Sequence, residues 1–139
     1  MKVFFDTNVY IAEALLGQAA ERILAATVAA SWRIYVSNHV LEEIEHVTRD
    51  DLGFSNRLAR VMRSRCCRRA IHVDEVISRH EVPDDAADTP ILRAALDAGV
   101  DYLVTNDTHL LNLDPYEGLR ILSMRDYYDV LANEGLINE

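Results

Sequence analysis

The stretch KVFFDTNVY, residues 2–10, decides the fold of this chain. Three apolar residues run directly into Asp6, and Thr7 and Asn8 follow before a segment that reads as helix. A short apolar run of this kind is typical of a buried strand in a parallel sheet. Asp6 is therefore predicted at the carboxyl end of that strand, where open α/β sheets bind their ligands. The alternative is that Asp6 only caps the next helix, because Asp, Thr and Asn are all favoured as caps.

A second segment of the same design is DYLVTNDTHLL, residues 101–111. Its apolar run, Tyr102 to Val104, leads into a polar cluster that ends at Asp107. Two strands that both end in aspartate bring Asp6 and Asp107 to one edge of one sheet. Two converging carboxylates without a nearby lysine or arginine need a cation, or one of them must stay protonated. A bound divalent metal ion is the simplest way to offset the repulsion between the two carboxylates.

The length and composition indicate a globular domain. The 139 residues fit one domain, residues 1–139, with one hydrophobic core, and a hydrophobic content of 50% argues against disorder. No apolar run approaches the ~20 residues that span a bilayer. The apolar stretch before Asp6 is too short for a signal peptide, so we expect a cytoplasmic protein without membrane contact.

Charge and cysteines narrow the possible partners. A net charge of -9 argues against nonspecific nucleic-acid binding by the chain as a whole. An arginine cluster nevertheless crowds one short stretch, and it is either a solvated helix face or a patch that contacts RNA or a partner. Cys66 and Cys67 are adjacent, without the CxxC spacing of a zinc site, and are expected to be reduced thiols on a helix. The cluster comprises Arg57, Arg60, Arg63, Arg65, Arg68 and Arg69.

Strands alternate with helices along the chain, which predicts a three-layer α/β/α sandwich with a mainly parallel central sheet. In the helix after Ser55, we expect Leu58, Val61 and Met62 to face inward and the arginines outward. A loop is expected from Asp107 to Tyr116. Helices are predicted over about 9–16, 19–30, 39–49, 74–80, 90–98 and 123–133, and strands over 33–36, 70–73, 102–104 and 119–122.

Four carboxylates fall at or near the same end of this predicted sheet: Asp6, Glu43, Asp88 and Asp107. Glu43 lies on the helix after the second strand, and Asp88 opens the helix before the 102–104 strand. Mg²⁺ and Mn²⁺ prefer carboxylate and water oxygens, and one or two such ions can activate water and stabilise charge on a phosphate. The alternatives are that Glu43 is a solvated charge and that Asp88 is an N-cap ahead of Thr89-Pro90.

The pattern resembles the PIN-domain ribonucleases, which include the VapC-type toxins of toxin–antitoxin pairs. The resemblance covers nearly the whole chain. It rests on four segments in this order: FFDTNVY at 4–10, SNHVLEEI at 37–44, DDAADTPILRAALDAG at 84–99 and DYLVTND at 101–107.

The resemblance implies a PIN-like fold and an Mg²⁺- or Mn²⁺-dependent nuclease that cuts RNA. Asp6, Glu43, Asp88 and Asp107 match the family's four catalytic and metal-binding acids. Glu42 competes with Glu43, which is preferred because Ile44 follows it. Asp85 resembles an extra acid of some members, and Asn8 and Thr105 resemble polar residues beside the site. A cognate antitoxin and a homodimer are implied partners.

Three other functions are weighed against this interpretation. A haloacid-dehalogenase-like phosphatase also begins with a strand and an aspartate, but Asn8 stands where its second aspartate belongs, and Lys2 is the only lysine. A PIN-domain nuclease of RNA processing would need no antitoxin. A catalytically silent PIN-like module would only bind RNA or protein, and the presence of all four acids argues against it.

Overall fold

The computed structural model describes residues 1–73 and 89–138, and within them the predicted sandwich with a parallel central sheet is confirmed. Five strands form one sheet in the order β3-β2-β1-β4-β5, and every pairing is parallel. The strands are β1 (Lys2–Phe5), β2 (Arg33–Ser37), β3 (Ile71–Val73), β4 (Tyr102–Val104) and β5 (Arg120–Leu122).

β1 is the central strand of the sheet. It pairs with β2 through Val3 and Ile34, and with β4 through Val3 and Tyr102. Val3, Phe4 and Phe5 are all fully buried. The first strand is thus covered on both faces, as its continuous apolar run predicts.

Seven α-helices flank the sheet within the described part of the chain. A five-residue π-helical segment, Val47–Asp51, follows the third, where the sequence predicted one helix to residue 49. The helices are α1 (Thr7–Ala14), α2 (Gln18–Ala29), α3 (Asn38–His46), α4 (Asn56–Arg69), α5 (Thr89–Asp97), α6 (Thr108–Leu111) and α7 (Met124–Asn133).

Gly17 makes the tight connection between α1 and α2. Its amide donates a hydrogen bond to the Ala12 carbonyl at 2.9 Å. A Cβ at this position would lie 2.7 Å from that carbonyl oxygen, closer than side chains tolerate. Glycine is therefore required by close backbone approach at this turn.

The predicted inward face of α4 is wrong at Leu58 and Val61 but confirmed at Met62, which packs against the core. Leu58 and Val61 are 39% and 44% exposed, whereas Ala59 and Cys66 are buried. Ala59, Met62, Cys66 and Arg69 follow one another at helical spacing, and α4 packs against α3. Arg69 turns inward because it pairs with a buried acid, Glu13.

The loop predicted from Asp107 to Tyr116 is also wrong, because it contains α6. The Asp107 side chain accepts a hydrogen bond from the His109 amide, and Leu110 is fully buried against the core. One capped turn with one apolar anchor suffices for a helix this short.

Cys66 and Cys67 lie on α4 as free thiols, as expected.

One predicted element, the helix at 74–80, lies outside the described residues. The same is true of Asp85 and Asp88. No helix in the described ranges is both long and apolar enough to cross a bilayer.

Candidate metal centre

Asp6 lies where β1 ends and α1 begins. Its carboxylate is 5% exposed and accepts hydrogen bonds from the Thr7 amide at 2.6 Å and from the Thr105 hydroxyl at 2.8 Å. The Asn8 side-chain amide donates to the same carboxylate at 3.4 Å. Asp6 is the N-cap of α1, so it caps the next helix as well as ending the strand. The cap fixes the carboxylate at the carboxyl end of the central strand.

Glu43 reaches the same place from α3. Its Oε1 atom accepts a hydrogen bond from the Thr7 hydroxyl at 2.9 Å, and His39 Nε2 lies 2.9 Å from that oxygen. His39 and Glu43 are one helical turn apart, which places both side chains on one face. Glu42, the competing glutamate, is exposed.

Asp107 follows β4 and is the N-cap of α6. Thr105, which is fully buried, connects it to Asp6: the Thr105 hydroxyl accepts from the Asp107 amide at 3.0 Å and donates to Asp6. Asn8 Nδ2 donates to the same hydroxyl at 3.4 Å. Asn8 and Thr105 therefore both belong to the polar network around Asp6.

A pocket of about 320 Å³ unites these residues. Asp6, Glu43 and Asp107, which are far apart in sequence, come together at the carboxyl edge of the sheet. Asp101 lies at the opposite end of β4, where its carboxylate accepts from the Lys2 amide. The described lining of the pocket comprises Asp6, Thr7, Asn8, Ile11, Glu43, Val47 and Asp107.

The pKa values of Asp6 and Glu43 are both shifted by their surroundings. Burial, together with the charges of Glu43 and Asp107, raises the pKa of Asp6 to about 6, against the hydrogen bonds from Thr105 and Thr7 that lower it. Burial also disfavours the charged form of Glu43, but hydrogen bonds from His39 and Thr7 outweigh it and bring the pKa of Glu43 below its usual value. Ionised Asp6 thus lies in a pocket that favours an additional positive charge.

The donor atoms of the pocket suit a hard divalent cation. All three acids offer carboxylate oxygens, the ligands that Mg²⁺ and Mn²⁺ prefer. Asn8 Oδ1 is a further oxygen, buried and without a hydrogen-bond partner in the described part of the chain. Within residues 1–73 and 89–138, no group of three or more His, Cys, Asp or Glu side chains could hold a metal ion as arranged. Asp88, the fourth predicted acid, lies outside those ranges.

Two contacts of the site were not foreseen from the sequence. Thr7 was noted only as part of the polar run after β1, and its hydroxyl connects α1 to Glu43. His39 was assigned no role, and it lies against the same carboxylate oxygen. The i, i+4 spacing of His39 and Glu43 on an amphipathic helix was the available signal.

Comparisons with known proteins agree with this architecture. A family model described as PIN domain matches residues 2–109. Among solved structures, the chain resembles one of VapBC2 from Rickettsia felis bound to a DNA fragment from their promoter. The TM-score is 0.62 at 14% identity, over 88% of this chain and 98% of the other. No curated protein matches. A single domain over residues 1–139 remains a prediction.

Proposed function

Because this chain belongs to the PIN-domain family, we propose that it is an Mg²⁺- or Mn²⁺-dependent ribonuclease that hydrolyses phosphodiester bonds of RNA. The observation that carries the proposal is the pocket where Asp6, Glu43 and Asp107 meet at the carboxyl edge of the parallel sheet. Ligand sites of open α/β sheets lie at this edge. Asp88 is proposed as the fourth acid of the set.

The carboxylates of Asp6, Glu43 and Asp107 would hold the cation, together with Asp88. A divalent ion in this pocket supplies activation of water and stabilisation of charge on the scissile phosphate. Thr105 and the Thr7 amide keep Asp6 in place by direct hydrogen bonds, and His39 and the Thr7 hydroxyl do the same for Glu43. Fixed ligands of this kind need no rearrangement when the substrate arrives.

Replacement of Asp6 tests the proposal. We expect purified wild-type protein to cut RNA when Mg²⁺ or Mn²⁺ is present and to stop when a chelator is added. Asp6→Asn keeps the size of the side chain but removes its charge, and it should abolish cleavage while the circular dichroism spectrum stays native. Undiminished cutting of RNA by that variant would falsify the assignment. The matched control is Asp101→Asn at the opposite end of β4, which should cut like the wild type.

The cellular role is proposed as the toxin of a toxin–antitoxin pair, with a cognate antitoxin as partner and a homodimer as the assembly, in the cytoplasm. Structural likeness to a chain of VapBC2 supports this role. An RNA-processing nuclease without an antitoxin is the competing role. Neutralisation of the cleavage activity by the product of an adjacent gene distinguishes the two.

A further inference from the structure

A second cavity, of about 790 Å³, lies beside the acidic pocket between α2 and α7. Asn106 lines this cavity, and the next residue, Asp107, lines the acidic pocket. The linings of the two cavities therefore include neighbouring residues at the end of β4.

The charged side chains that line this cavity are positive, whereas those that line the acidic pocket are negative. Arg22 from α2 and Arg125 from α7 both line it, and none of the described residues lining it is acidic. The whole chain carries a net charge of -9, so a paired cationic site is a local exception. Such an exception is where an acidic protein can hold a polyanion.

Arg22 is already held in position. One of its nitrogens donates to the carbonyl of Asn138, and its guanidinium lies 5.3 Å from the centroid of the Tyr128 ring. The Tyr128 hydroxyl donates to the same carbonyl at 2.7 Å. A guanidinium has five N–H donors, so these contacts leave donors for an anion. A side chain ordered beforehand loses less entropy on binding.

Arg125 has only a weak contact within the described part of the chain. Its side chain is 80% exposed, and its Nε atom lies 3.6 Å from Asp129 one turn later on α7. An exposed pair at this distance contributes little, so it does not prevent Arg125 from binding a phosphate. Met124 and the ring of Tyr128 supply apolar surface beside the two guanidinium groups.

We propose that this cavity binds the RNA strand next to the bond that is cut, with Arg22 and Arg125 on a backbone phosphate and with Met124 and Tyr128 against the attached base. The proposal rests on the proposed function, because it takes the acidic pocket as the place of cleavage. Guanidinium groups pair well with phosphate oxygens, and aromatic surface accepts any base. The cavity is thus a substrate subsite that tolerates different sequences.

The test measures binding without cleavage. A fluorescein-labelled single-stranded RNA is titrated with protein in EDTA, and fluorescence anisotropy gives the Kd at several salt concentrations. Arg22→Gln with Arg125→Gln should weaken binding by about tenfold or more. It should also reduce the salt slope by about 0.7 for each phosphate that the variant no longer neutralises.

A charge-matched control is available on α4. Arg57 and Arg60 are exposed, and neither has an ion pair in the described part of the chain. The proposal takes the arginine cluster of α4 as a solvated helix face. Arg57→Gln with Arg60→Gln therefore removes the same charge from another surface and should change the Kd by less than about twofold. Equal losses in the two double variants, or a loss in the α4 variant alone, would overturn the subsite.

Two further outcomes separate this proposal from the nuclease assignment. If the wild type cuts RNA but the Arg22/Arg125 variant binds RNA like the wild type, the subsite is wrong and the nuclease stands. If the Arg22/Arg125 variant loses binding as expected but the wild type cuts no RNA with metal, the nuclease is wrong and the RNA surface stands. If the double variant unfolds at a lower temperature than the wild type, the binding experiment is done with Arg125→Gln alone. The Arg125 side chain is mostly solvated, so its replacement should not disturb the fold.

Discussion

Thr105 is the residue through which the two strand-end acids are connected. Its hydroxyl donates to Asp6 at 2.8 Å and accepts from the Asp107 amide at 3.0 Å, with no solvent exposure. A hydrogen bond donated to a carboxylate favours its charged form. The bond from Thr105 accordingly lowers the pKa of Asp6 against the effect of burial.

Removal of this hydroxyl should cost both stability and metal affinity. Thr105→Val keeps the shape of the side chain but leaves Asp6 without its donor and the Asp107 amide without its acceptor. We expect the free energy of unfolding in urea to fall by about 1–3 kcal/mol, as for buried polar groups that lose a partner. Mn²⁺ binding, followed by calorimetry, should weaken as well. Thr105→Ser retains the hydroxyl and should lose less of both, and equal behaviour of the two variants would contradict this role.

At the scale of the elements, a largely buried ion pair holds α1 against α4. Arg69 donates to the two carboxylate oxygens of Glu13 at 2.7 and 2.8 Å, and the Glu13 side chain is only 7% exposed. The Arg69 guanidinium also lies 5.8 Å from the centroid of the Tyr10 ring. The helix whose first turn carries Thr7 and Asn8 is held against α4 by these contacts.

Loss of Arg69 should destabilise the protein far more than loss of its neighbour Arg65. Arg69→Met removes the main partner of the buried Glu13 carboxylate. We expect thermal and urea denaturation to show that the free energy of unfolding falls by about 3 kcal/mol. Arg65 lies 3.6 Å from the same carboxylate but is 46% exposed. Arg65→Met should therefore cost less than about 1 kcal/mol. Similar losses of unfolding free energy in the two variants would mean that the Arg69–Glu13 pair does not hold α1 against α4.

At the scale of the whole molecule, a bound metal ion should raise the free energy of unfolding. Three acids in one pocket repel one another, and an ion that binds only the folded chain relieves that repulsion. At a Mn²⁺ concentration of about 100 times the Kd, the gain in unfolding free energy is about 2.7 kcal/mol. Differential scanning calorimetry should show a higher Tm with Mn²⁺ for the wild type and little change for Asp6→Asn. An equal rise in both proteins would place the ion elsewhere.

Much of the architecture could be predicted because its signals are local. The apolar run before Asp6 and the one before Asp107 each mark a strand with an acid at its carboxyl end. Helix faces were harder to predict. Leu58 and Val61 have helical spacing, but the buried face of α4 depends on Arg69, whose partner Glu13 is 56 residues away. The α6 turn is too short to show a period at all.

The site was predictable only in part for the same reason. A strand-end aspartate has a pattern, whereas a glutamate on an amphipathic helix looks like any solvated charge. The choice of Glu43 over Glu42 came from the family resemblance. In the structure Glu43 lines the pocket and Glu42 is exposed. Contacts such as Thr7 with Glu43 depend on how helices pack across the sheet, which no local pattern encodes.

The order of the strands has a consequence for the nascent chain. β1 is translated before the other four strands, yet it is the middle of the sheet and needs β2 and β4 on its two sides. Its second neighbour emerges only after residue 102, so pairings between distant segments dominate and folding is expected to be slow. Asp107 follows later still. The acidic pocket therefore cannot form before Asp107, more than 100 residues after Asp6, has left the ribosome.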